Sequence, residues 1–365
     1  MSSPNQLAKE KFFRHIPAVL GLGYVILCLF VALFGYVLSP DNSTHANLQV
    51  LELAKQPPGA EAWLLIQPSG IPDSGPVSWL RGNSHPGIPF ALQDTQSVQL
   101  TQAFVSFTRL SGVKDSLRLS DFGLVEAPAR TTFMDGFVEK RHYWLGTDPY
   151  GRDLLSRILL GTRVSLSVGL LAVLISLVVG VLLGTLAGYF GGWVDQSIMW
   201  LVSVMWSIPT LLMALAITFW LGKGFWQLFV AIGISMWVEV ARLVRGQMMS
   251  VREMTFSEAA RSMGFSHPRI MFRHILPNVI NPIIVVAVAN FGAAVLIESG
   301  LSFLGIGVEV PIPSWGRMIY EGYTYIVFEH GKWLAFFPGI ALILLIVSIN
   351  LIGIGLRDAW DVKMK

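Results

Sequence analysis

Cysteine and charge are what this 365-residue chain has least of: one cysteine, and 13% charged residues against about 25% in soluble globular proteins. A single cysteine excludes an intramolecular disulfide and any cysteine-rich metal cluster. Cys28 lies inside an apolar run, where it reads as a small buried or lipid-facing side chain. With 53% hydrophobic residues, the shortage of charge excludes a disordered chain and sets the protein apart from an ordinary cytosolic enzyme. It fits a chain whose solvent is largely lipid. A net charge of +3 is too small at this length to imply a nucleic-acid partner. Catalytic constellations are missing too. The seven histidines include no pair at a spacing of three or four, and there is no HExxH, no Gly-x-Ser-x-Gly elbow and no Gly-Lys-Ser/Thr phosphate loop. A chain without a nucleotide-binding loop uses ATP only through a partner.

What is present is a set of long apolar runs. A spanning helix needs about 20 apolar residues to cross about 30 Å of hydrocarbon, and six stretches meet this: 17–38, 164–190, 196–221, 226–244, 278–297 and 334–356. The first follows Lys9, Lys11 and Arg14, but its apolar run is longer than that of a secretory signal and no small-residue cleavage site follows, so it reads as a retained anchor. Arg242, Arg245, Arg252, Arg261, Arg269 and Arg273 fall between the fourth and fifth spans, and Arg357, Lys363 and Lys365 in the tail. Six crossings then place both termini and this Arg-rich loop in the cytoplasm. Two features run the other way: the connection 191–195 has no basic residue, and Arg152, Arg157 and Arg163 crowd the outer end of the second span. The six arginines outweigh them.

The resulting organisation is a cytoplasmic tail at 1–16, a first transmembrane helix at 17–38, an extracytoplasmic insertion at 39–145 and a membrane core at 146–365 with a cytoplasmic loop at 248–276. The insertion holds Pro40, Pro57, Pro58, Pro68, Pro72, Pro76, Pro86, Pro89 and Pro128, so it is not helical throughout. Residues 63–66 read as a short strand, whereas 100–107 fit helical and alternating patterns equally. Its compartment permits disulfides, yet it has no cysteine, so its order must come from a small core of its own or from docking on the membrane part.

Within the second span Ala172, Ser176, Gly180, Gly184 and Gly188 draw one smooth face, either a static packing seam or one along which helices slide. The central part of every span lacks Asp, Glu, Lys, Arg and His, which argues against ion coupling. Glu239 and Glu298 fall near span ends and read as solvated. Pro209, Pro282, Asn281 and Asn290 lie within spans, where they kink helices, line a polar path or simply pack.

The segment 255–277, TFSEAARSMGFSHPRIMFRHILP, carries the clearest local signals. Thr255 with Glu258 forms a capping box. Phe256, Ala259, Ala260 and Met263 then make an apolar stripe on a two-turn helix that Gly264 is placed to end. Ser266 can cap a second helix, with Pro268 in its first turn, running through Arg269 and Arg273 to Pro277, where the fifth span begins. So short a helix is not stable alone, and its stripe must meet the membrane surface, the bundle or a soluble partner.

Glu258-Ala259-Ala260, Gly264 and the distal Leu276-Pro277 resemble the EAA loop of ABC importer permeases, the coupling helix that fits a groove on the ATPase subunit. The general pattern has isoleucine three residues before the proline; His274 stands there instead, and His-Ile-Leu-Pro-Asn is similar to the dipeptide/oligopeptide/nickel branch. Leu145-Gly146-Thr147-Asp148, Gly151-Arg152-Asp153 and Gly161 through Leu166 resemble that branch's approach to the second span. There Asp148 can cap a helix with Pro149 in its first turn, and Leu154, Leu155, Ile158 and Leu159 form an interfacial stripe opposite Arg152, Asp153 and Arg157. Glu298 through Gly305, Pro313-Ser314-Trp315-Gly316, and Leu356-Arg357-Asp358 with Asp361 match further motifs of the branch. Two departures stand out: Gly353-Ile354-Gly355 lacks the acidic residue often found there, and the insertion is far longer than the usual connection.

The resemblance implies an all-α polytopic membrane protein, with six transmembrane helices of the type I ABC importer permease fold and a mixed or irregular extracytoplasmic insert. It implies a multi-pass subunit of the bacterial cytoplasmic (inner) membrane, importing peptides or similar small solutes, that pairs with a homologous second permease, two ATP-binding subunits and an extracytoplasmic solute-binding protein. Glu258, Ala259, Ala260, Arg261, Gly264, His274, Leu276 and Pro277 are then the ATPase-coupling residues. The chain itself is no enzyme and binds no cofactor; ATP and Mg are used by the partners. The rival reading is an ion-coupled secondary transporter or channel subunit. The insertion either helps to receive the binding protein or has no part in transport, and no residue is assigned to the substrate path.

Overall fold

Apolar runs in lipid must satisfy their own backbone, which leaves helices as the spanning element here. The computed structural model describes residues 4–69, 78–84, 86–222, 224–326 and 331–360. The helices are α1 (Pro4–Arg14), α2 (Ile16–Leu38), α3 (Ser78–Arg81), α4 (Arg130–Phe137), α5 (Leu154–Phe190), α6 (Gly192–Trp206), α7 (Thr210–Leu221), α8 (Phe225–Arg252), α9 (Thr255–Ser262), α10 (His267–Phe303), α11 (Trp315–Tyr323) and α12 (Trp333–Trp360). The strands are β1 (Ala60–Gln67), β2 (Ile88–Leu92), β3 (Gln99–Leu100), β4 (Phe104–Thr108), β5 (Lys114–Arg118) and β6 (Val138–Tyr143). Expectations placed on Pro72, Pro76, Asp361, Lys363 and Lys365 fall outside the described residues.

Helices α2, α5, α8, α10 and α12 are each long and apolar enough to span. The expected third span is instead a broken pair: α6 and α7 meet at 92°. Pro209 has no N–H to continue the first helix, and it drives Ile208 out of the helical region, so the chain turns there. Helix α10 runs unbroken where two elements were expected. Residues Ile270–Ile275 form a π-helical segment just before Pro277, and this widened turn takes the place of the 273–277 hydrogen bond that proline cannot make.

The described residues group into two units, the first comprising those within 4–29, 165–309 and 342–360. One seam in it is the small-residue face of α5 against α8. A Cβ at Gly180 would lie 2.7 Å from the Trp237 carbonyl oxygen, and one at Gly184 2.5 Å from that of Ala241. A Cβ at Gly188 would lie 2.7 Å from the carbonyl oxygen of Arg245. The glycines let two backbones touch, as expected where packing rather than hydrophobic burial joins helices. Asp195, in the connection without basic residues, is bound by Arg245 through Nε and Nη2. Glu298 departs from expectation: its side chain is fully buried, with Ser302 Oγ donating to Oε1 at 2.7 Å. Asn290 is buried too, whereas Asn281 is exposed.

The second unit comprises 30–164 and 310–341. The insert contains two three-stranded antiparallel sheets, ordered β2-β1-β6 and β3-β4-β5. The expected strand at 63–66 lies within β1, and alternation decides 104–108 in favour of a strand, with Val105 and Phe107 inward. A core of Leu65, Leu92, Val98, Val105, Phe107, Leu119, Phe122 and Phe133 serves where no disulfide can. Arg109 bridges Asp115 and Glu52, and its hydrogen bond holds the Asp115 carboxyl below the usual carboxylate range.

In this unit the expected interfacial helix with solvated charges is replaced by buried ones. Arg152, Asp153 and Arg157 are buried while Leu155, Ile158 and Leu159 are only partly so. Arg152 donates to Asp148 Oδ2 at 2.5 Å, Glu321 Oε2 at 3.2 Å and Asn47 Oδ1 at 3.2 Å. Arg157 lies 3.5 Å from Asp148 and 3.6 Å from Glu321. Asp148 caps a turn through the amides of Tyr150 and Arg152, and Asp153, accepting from the Ser156 amide at 2.8 Å, stands just before the first residue of α5. Burial pushes the Asp153 carboxyl up against those hydrogen bonds. Arg163 donates to the carbonyls of Ala32, Leu33 and Leu80. All three arginines are held by protein groups.

Candidate functional site

The Arg-rich loop folds around α9, one residue out of register with the expected capping box. Met254 occupies the cap, its carbonyl accepting from the amides of Ser257 (2.9 Å) and Glu258 (3.2 Å), with no side-chain cap. Thr255 is therefore already helical, and the Glu258 carboxylate is left at the surface. The inward face is Ser257 and Ala260, rotated from the expected stripe. Phe256, Ala259 and Met263 remain outside; Met254, Phe256 and Met263 are 47%, 39% and 65% exposed. The apolar stripe therefore splits into an anchor, Ala260, and an uncovered patch.

Ala260 packs into one cluster with Val244, Met248 and Val251 of α8 and with Ile270, Met271, Ile275 and Val279 of α10. A small side chain is required for α9 to sit this close to both. Gly264 ends the helix with φ +74°, its amide donating to the Arg261 carbonyl at 2.9 Å, while the Phe265 amide reaches the Ala260 carbonyl at 3.2 Å. That left-handed closure costs an L side chain about 1–2 kcal/mol.

Arginines tie the helix ends together. Arg261 donates to the Arg252 carbonyl at the end of α8 (2.6 Å), and Arg252 to the Tyr189 carbonyl at the end of α5 (2.9 Å). Both neutralise the partial negative charge of a helix C-terminus. The Tyr189 hydroxyl meets His267 Nδ1 at 2.8 Å. His274 stacks on Phe265 at 5.5 Å between centroids, and the Arg269 guanidinium lies over the same ring at 5.4 Å. Thus Glu258, Ala259, Ala260, Arg261 and Gly264 share α9 and its end. His274 joins them through Phe265, while half-buried Leu276 and exposed Pro277 follow along α10. Sequence reading missed Phe265 and Tyr189, and took Arg252 only as one of the arginines that orient the loop. A hydrophobic residue directly after a terminating glycine was a usable signal for Phe265; the Tyr189–His267 pair, 78 positions apart, left none. Among the described residues no group of His, Cys, Asp and Glu is arranged to hold a metal.

This geometry accompanies clear similarity to known proteins. The family model for the binding-protein-dependent transport system inner membrane component matches residues 180–365. That for the N-terminal TM domain of oligopeptide transport permease C matches 3–58. The dipeptide transport system permease protein DppC of Alkalihalophilus pseudofirmus is 43% identical over 223 residues, 61% of this chain and 73% of its own. The glutathione transport system permease protein GsiD of Pectobacterium atrosepticum is 42% identical over the same shares of each chain. An inward-facing structure of the MetNI methionine ABC transporter superposes with a TM-score of 0.45 at 19% identity, over 56% of this chain and 96% of that one. With one family model covering residues 180–365 and relatives above 40% identity over 73% of their length, the chain belongs to the family of binding-protein-dependent transport system inner membrane components.

Proposed function

We propose that the chain is one of two homologous permease subunits of an inner-membrane ATP-driven importer for peptides or small peptide-like solutes, and that α9 is its contact with an ATPase subunit. The relatives' stated substrates, dipeptides and glutathione, support the solute class. An extracytoplasmic solute-binding protein delivers the solute, two ATPase subunits supply the energy, and ATP and Mg are handled by those subunits. Both termini and α9 face the cytoplasm, and the insert faces outward. The observation that carries the coupling assignment is the mounting of α9. Its apolar patch of Met254, Phe256 and Met263 is uncovered, while Ala260 ties it to the ends of α8 and α10. A push on α9 is therefore delivered to two spans at once. Glu258 and Ala259 lie on the exposed surface that a partner groove would meet.

The test is reconstitution of the importer in proteoliposomes with Gly264→Pro or Glu258→Arg. Both variants are expected to insert and to assemble around the permease pair, yet to lose solute uptake and solute-stimulated ATP hydrolysis by at least tenfold. Normal uptake with both contradicts the assignment. A protonophore is expected to leave uptake intact while ATP is supplied; abolition would favour the ion-coupled reading.

A further inference from the structure

Two adjoining cavities, about 410 and 640 Å³, open in the first unit between α1 and helices α8, α10 and α12. They share Asn281 and Trp360. Among the described residues their polar lining is Lys9, Gln247, Asn278, Asn281 and Arg357, with no carboxylate. The remaining walls are apolar, Phe12 and Leu356 among them. Of the acids adjacent to these cations in sequence, Glu10 beside Lys9 is exposed, and Asp358 beside Arg357 is 3.8 Å from His15 Nε2. Neither Lys9 nor Arg357 forms an ion pair or hydrogen bond among the described residues, and both are exposed.

The position of the groove constrains what fills it. It lies near the end of α8, along residues 278–286 of α10, where the expected fifth span begins, and at the end of α12, where spans leave the hydrocarbon. Helix α1 folds back there because Ala8 and Phe12 pack with Ala18 and Ala359, leaving its Phe13 55% exposed, while Ile16, the first residue of α2, is 70% exposed. A helix with basic residues beside such apolar ones lies in the membrane interface, and an indole such as Trp360 favours the same depth. A cationic and amide rim above an apolar wall, at headgroup depth, has the two-part chemistry of a phospholipid.

We infer that this groove binds an anionic phospholipid, its headgroup drawn by Lys9 and Arg357, one on each cavity, and its acyl chain along the apolar wall. The amides of Asn278, Asn281 and Gln247 supply neutral donors to the headgroup, and unpaired cations at this depth attract it over a zwitterionic lipid. This site is independent of the solute carried and of the coupling role of α9.

The test is native mass spectrometry of the full chain released from nanodiscs of equal phosphatidylglycerol and phosphatidylcholine, counting retained lipid. Selective retention of phosphatidylglycerol is expected. Lys9→Gln and Arg357→Gln should each lower it about fivefold and the pair about thirtyfold. Lys9→Arg, Arg357→Lys and the distant Lys332→Gln should leave it unchanged. Equal retention of both lipids, or undiminished retention in the paired variant, overturns the inference. So does loss in the charge-keeping variants with helix content intact. Displacement by millimolar inorganic phosphate would make this a bare anion site, also against it. In the assembled importer, a disulfide from Asn281→Cys (with Cys28→Ser) to the second permease would give the groove to that subunit and equally overturn the lipid.

Discussion

Arg152 shows how much a single position can carry in a chain short of charge. Its side chain is fully buried, and three groups accept from it: Asp148, Glu321 and Asn47. Removing one member of a buried, hydrogen-bonded ion cluster leaves the others uncompensated, a cost of about 3–5 kcal/mol. Arg152→Ala is therefore expected to lower the thermal unfolding midpoint of the purified chain markedly; an unchanged midpoint would show the cluster to be dispensable. This was not legible in the sequence. Arg152, Asp153 and Arg157 look like the solvated side of an interfacial helix, and the acceptor that changes the reading, Glu321, is 169 positions away. Glu298 misled in the same way, because proximity to a span end says nothing about which neighbours cover it. Gly264, by contrast, was legible, since the need for a left-handed residue after a short apolar stripe is purely local. The capping box failed by one residue because a backbone carbonyl at Met254 does the work that the Thr255 hydroxyl was expected to do.

At the scale of elements, hydrophobic length read well and geometry did not. Five spanning helices fall on expected runs, and the sixth run holds the broken pair α6–α7. The break is written in Pro209, but its angle of 92° depends on what each arm packs against. The four-residue small-side-chain repeat of α5 did identify the face that meets α8. This makes a sharp contrast between glycines. At Gly184 a Cβ would meet the Ala241 carbonyl at 2.5 Å and the Val244 Cβ at 2.8 Å, whereas nothing lies within 4 Å of one at Gly246 on α8. Gly184→Leu is expected to cost at least about 1–3 kcal/mol through overpacking. Gly246→Ala should be neutral or stabilising by about 0.4–1 kcal/mol. Thermal unfolding in detergent compares the two directly, and equal midpoints would mean that the seam is not close-packed.

For the whole molecule, the family assignment and the loop geometry meet in one idea: force applied to α9 is shared between α8 and α10 through the cluster around Ala260. The chain's poverty in cysteine makes this accessible, since Cys28→Ser alone gives a background free of thiols. In that background, Ala259→Cys or Met263→Cys can be combined with single cysteines along the groove of the ATPase subunit, with Val125→Cys in the insert, 95% exposed, as control. The most direct measurement is disulfide yield in the assembled, transport-competent importer. The account predicts efficient cross-linking from positions 259 and 263, arrest of solute uptake on cross-linking with recovery on reduction, and no cross-link from position 125. Absence of any cross-link from α9 in a complex that still transports, or an equal yield from position 125, would contradict it.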